Sequence, residues 1–129
     1  MFFTISNTFA AINNRLVKRF DPFNPLDLPP NTVRVRTDDW NAPRTGSYTS
    51  YETATRVPGM GGVFDVYKSG TDFTNLLCSS NNVVEVLGAN TTGITNMNSM
   101  FRMCTKLTTV TLFNTSNVTN MESMFLRLL

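Results

Sequence analysis

The sequence predicts an α/β fold, a solenoid of about 24-residue units that each combine a short helix with a short strand. Three observations carry that expectation. The stretch NTTGITNMNSMF at 90–101 returns as NTSNVTNMESMF at 114–125, one 24-residue step later. Within a unit the apolar residues fall first at helical spacing and then in strand alternation. The region ahead of the repeats is punctuated by proline and glycine and carries short alternating runs. A length of 129 residues suits one modest domain, or a few units of a longer repeated body.

The first expected element is an amphipathic helix over 1–20. Ile5, Phe9, Ile12, Leu16 and Phe20 step by three and four, and Arg15, Lys18 and Arg19 sit near its far end, where cations suit the helix dipole. A packing or capping helix is the favoured reading, with a membrane-surface helix and a degenerate export signal as alternatives. An export signal would place its basic residues first and an unbroken apolar run after them. Residues 21–32 form a linker, because DPFNPLDLPPN has four prolines and proline ends the helix near Phe20. Residues 33–69 form a small β-rich lead-in. TVRVRT alternates Val33 and Val35 against Arg34 and Arg36, YTSYETATRV is a second strand, PGMGG is a turn, and VFDVYKSG is a third extended stretch.

Residues 70–129 hold the repeats as one degenerate, one complete and one half unit. Met97, Met100, Phe101 and Cys104 share one face of the expected helix, and Leu107, Val110 and Leu112 are the apolar positions of the expected strand. Val118, Met121, Met124 and Phe125 restart the pattern. These eleven residues are the expected repeat core. Phe73, Leu76 and Leu77, with Val83 and Val86, are a fainter copy one step earlier. Thr119-Asn120-Met121-Glu122 has capping-box spacing for the helix start. A lone unit cannot close a core, whereas stacked units pile like positions into ladders. The period lies within the range of leucine-rich repeats.

ITNMNSMFRMCTKLTTVTLFNTSNVTNMESMF resembles the repeat of BspA-type leucine-rich repeat surface proteins. The match runs through Ile94-Thr95, Met97, Met100-Phe101, Cys104, Leu107 and the turn from Phe113 to Asn117, and resumes at Val118-Thr119. The lead-in from residue 29 also resembles the segment before such repeats in some gut bacterial and phage-associated proteins. The resemblance implies a leucine-rich-repeat-like solenoid at a cell surface or outside the cell. Its function would be non-catalytic display or adhesion, binding a protein or carbohydrate ligand. The alternatives are a phage-associated structural or receptor-binding module, virion-associated, or a truncated gene product left as a cytoplasmic fragment. Residues 126–129, LRLL, depart from the family pattern. The exposed leucines favour a fragment of a longer solenoid, with an improvised cap folded over the end as the alternative, and predict self-association through the C-terminal end.

No enzyme is expected. The chain has no histidine, which removes the commonest general base near neutral pH and the commonest metal ligand. Asp38-Asp39 reads as a solvated turn, Asp65 and Asp72 have no paired-carboxylate spacing, no nucleophile elbow occurs, and GMGG lacks the lysine of a phosphate loop. No catalytic, metal or cofactor-binding residue is therefore assigned. A net charge of +2 argues against nucleic acid, and no apolar run is long enough to span a membrane as a helix. Cys104 reads as a buried thiol, with a disulfide to Cys78 as the alternative. The motifs at Asn90, Asn114 and Asn117 fit N-glycosylation acceptors, which matter only on a eukaryotic secretory route. The candidate ligand-contact strip is Thr108, Thr109 and Thr111, polar and uncharged.

Overall fold

The structure is a computed structural model that describes residues 27–127. The expected N-terminal helix and residues 21–26 of the linker lie outside the described residues. Five strands form one mixed sheet: β1 Thr32–Thr37, β2 Thr53–Arg56, β3 Val63–Tyr67, β4 Val83–Asn90 and β5 Thr109–Val110. Their order is β2-β3-β1-β4-β5, with β1 antiparallel to both β3 and β4, and β5 parallel to β4. The sheet therefore runs across residues 69–70, joining the lead-in to the first repeat in one body.

Alternation explains β1. Val33 and Val35 are fully buried against the core, while Arg34 turns to the opposite face and meets Asp65 directly across on β3. Its Nε and Nη2 donate to the two carboxylate oxygens at 2.7 and 2.9 Å, a bidentate pair on a side chain only 2% exposed. Register shifts between Arg34 and Val35 and between Arg36 and Thr37 bend the β1–β4 ladder.

The expected α/β helix-and-strand solenoid is not what forms. Among the described residues there is no α-helix. The segments at 73–80, 97–104 and 121–126 are runs of overlapping four-residue turns instead, stacked as three tiers. Left-handed residues are the physical cause: Asn75, Ser99 and Ser123 have φ of 60°, 57° and 56°, and Ser79 and Met103 have 68° and 62°. A residue at positive φ ends a right-handed helix where it stands. The amides divide between two tasks. Those of Leu76, Cys78 and Ser80 close turns onto the carbonyls of Phe73, Asn75 and Leu77. Those of Phe73, Asn75, Leu77 and Ser79 leave their own tier and donate to Asn96, Asn98, Met100 and Arg102. Met97, Ser99, Phe101 and Met103 donate in the same way to Asn120, Glu122, Met124 and Leu126.

The capping-box expectation also changes. Asn120, not Thr119, caps the turn, accepting the Glu122 amide at 2.9 Å, while Thr119 Oγ1 donates to the Thr95 carbonyl. The core lies between the sheet and this turn layer. Val33, Val35, Phe64, Val66, Val83 and Val86 pack from the sheet, and Phe73, Leu76, Leu77, Ile94, Met97, Met100 and Phe101 from the tiers. Fully burying each such side chain contributes about 1.5–3 kcal/mol.

Candidate functional site

The two ends of the turn stack differ. The first tier is covered by residues 46–51. Ser50 donates from its amide to the Asn75 carbonyl at 3.1 Å and from its hydroxyl to the Thr74 carbonyl at 2.7 Å, and Thr49 Oγ1 donates to the Cys78 carbonyl. Tyr51 ties that segment to the Pro43 carbonyl at 2.6 Å. Its hydroxyl is held protonated above its ordinary range by burial.

The last tier has no such cover among the described residues. Met121, Phe125 and Leu126 are 46%, 51% and 41% exposed. The amides of Met121, Ser123 and Phe125 occupy the places from which Met97, Ser99 and Phe101 bond outward, and they bond to no described residue. Phe125 stacks on Phe101 with ring centroids 5.5 Å apart and planes 11° from parallel, and Phe113 tilts against Phe101 at 6.4 Å. Beside this column lies a cleft of about 240 Å³ lined by Phe101, Cys104, Leu107, Val110, Phe125 and Arg127. Glu122 is exposed on this tier, and Arg127, of opposite charge, is exposed just after it and donates to the Thr105 carbonyl at 3.1 Å. The sheet layer of the same end is the edge strand β5.

Of the expected repeat core, Met97, Met100, Phe101, Cys104, Leu107 and Met124 are buried and Val110 and Val118 half-buried. Met121 and Phe125 belong to the open end. Leu112 is corrected outright, because β5 stops at Val110 and leaves Leu112 93% exposed. Thr108, Thr109 and Thr111 are exposed along β5 and its exit, with the Thr108 and Thr111 amides donating to Val84 and Val86 of β4. Both cysteines are buried free thiols. The Cys104 Sγ donates to the Leu77 carbonyl at 3.0 Å, and burial pushes its pKa up to about 12, so it is no nucleophile. Asp38 pairs with Lys106 at 3.0 Å and Asp39 with Arg44 at 2.9 Å. Hydrogen bonds from Asn82, then Arg44, hold the Asp39 carboxyl well below the usual range. Among the described residues no three His, Cys, Asp or Glu side chains gather as a metal-binding group, and no helix is long and apolar enough to cross a membrane.

Sequence reasoning missed two features. Asp72, Asn96 and Asn120 form a ladder of side-chain caps, signalled by the recurring Thr-Asp or Thr-Asn pair. Trp40 is 64% exposed in a segment that reads as an ordinary polar turn.

No curated protein and no solved structure matches the chain. A family model does, over residues 60–128, and its description is "Mycoplasma protein of unknown function, DUF285". This corrects the resemblance to BspA-type leucine-rich repeat proteins, since the matching family is one of unknown function and helix does not alternate with strand. The solenoid and adhesion-scaffold readings fall with it. The match spans more than half of the sequence, and the chain belongs to the DUF285 family.

Proposed function

We propose that the chain is a non-catalytic assembly module that pairs with a second copy of itself through the open end of its turn stack. The observation that carries the reading is the last tier, with exposed Met121, Phe125 and Leu126 beside three backbone amides that bond to no described residue. Apolar area on that end gains by leaving water, at about 25 cal/mol per Å². The covered first tier favours a closed pair, because copies cannot add head to tail where residues 46–51 already sit. The open end combines apolar and polar groups in both layers. It offers exposed apolar side chains and amide donors in the turn layer and the edge of β5 in the sheet layer. The non-catalytic part rests on the absence of histidine and on acidic side chains already engaged by Arg44, Lys106 and Arg34.

Sedimentation velocity of the full chain over about 1–100 μM, the range of modest protein affinities, tests the reading. A reversible monomer–dimer equilibrium is expected, and Phe125→Asp should shift it to monomer with the far-UV spectrum unchanged. A monomer throughout that range, or a dimer indifferent to Phe125→Asp, would overturn it.

A further inference from the structure

We draw no further inference here: the strongest candidate, the cleft lined by Phe101, Cys104, Leu107, Val110, Phe125 and Arg127 beside the Phe101–Phe125 stack, belongs to the open end of the turn stack already described, and nothing in the structure shows what fills it.

Discussion

Ser99 decides between a ladder of turns and a helix, because the two arrangements assign opposite signs to the same pair of substitutions. Ser99 lies in the middle tier with φ of 57°, and its amide donates to the Glu122 carbonyl at 2.9 Å. Its hydroxyl donates to Asn98 Oδ1 at 2.7 Å. Ser99→Gly and Ser99→Ala both lose that side-chain bond, so the difference between them isolates the backbone. In the left-handed region an L-residue is disfavoured by about 1–2 kcal/mol, while glycine enters freely. Against this, glycine adds about 0.4–1 kcal/mol of unfolded-state entropy to be lost on folding. Ser99→Gly should therefore be more stable than Ser99→Ala by about 1 kcal/mol. In a helix interior alanine would win by a similar margin. Urea unfolding followed by Trp40 fluorescence and by far-UV circular dichroism reads the difference, which corresponds to roughly 3–5 °C in Tm for a domain of this size. Ser99→Ala equal to or more stable than Ser99→Gly would refute the turn geometry.

Two titrations and a cap test follow from the same packing. Burial raises the Cys104 pKa from an ordinary 9.0 to about 12, so the folded state holds the thiol proton more tightly than the unfolded state. The stability from that thiol is complete below about pH 9 and declines as pH rises toward 12, and Cys104→Val should flatten this alkaline limb of a stability–pH curve. Asp72 moves the other way. Its carboxylate accepts the Thr74 hydroxyl at 2.6 Å and the Thr74 amide at 2.8 Å, which lower its pKa from 3.8. The stability it supplies is present above that ordinary value and lost as pH falls through the lowered one. Asp72→Asn should keep the cap, as Asn96 and Asn120 do, and remove the acid dependence. Asp72→Ala should cost about 1 kcal/mol in denaturant unfolding. Equal losses for Asn and Ala would show that the side-chain oxygen does not cap the turn.

The alternation of TVRVRT and the run VFDVY locate β1 and β3 directly, because a strand writes its two faces into successive residues. The turn tiers are harder to read. A helix puts residues at i, i+3 and i+4 on one face, and a run of overlapping four-residue turns does the same, so Met97, Met100, Phe101 and Cys104 fit both. The distinguishing sign is the left-handed residue. Asn75 carries a compositional hint of it, whereas Ser99 and Met103 carry none. Leu112 misleads for a related reason. It alternates with Val110 around Thr111, yet β5 ends at Val110, and length is what short-range alternation fails to specify. At Trp40 the surrounding residues are those of any polar turn. Its exposure follows from Arg56, Gly61 and Gly62, which are distant in sequence.

The polar pair that opens each tier does more to define the stack than the apolar residues behind it. Backbone donors on alternate residues would tolerate a two-residue slip between tiers with little loss of hydrogen bonding, and Met, Leu and Phe could fill a slipped core. Thr71-Asp72, Thr95-Asn96 and Thr119-Asn120 occur once per 24 residues and remove that freedom. Thr95 bonds the Thr71 carbonyl through its amide at 2.9 Å and its hydroxyl at 3.3 Å, and Thr119 bonds Thr95 in the same two ways. Beside them Asp72, Asn96 and Asn120 form parallel bridges to one another while their side chains cap the following turns. A slip would leave each threonine facing the wrong carbonyl and each cap without its amide, a loss of several hydrogen bonds of about 1 kcal/mol each per tier. The dipeptide that reads as a helix start is therefore a register mark, while the apolar positions behind it fill the core that the register aligns.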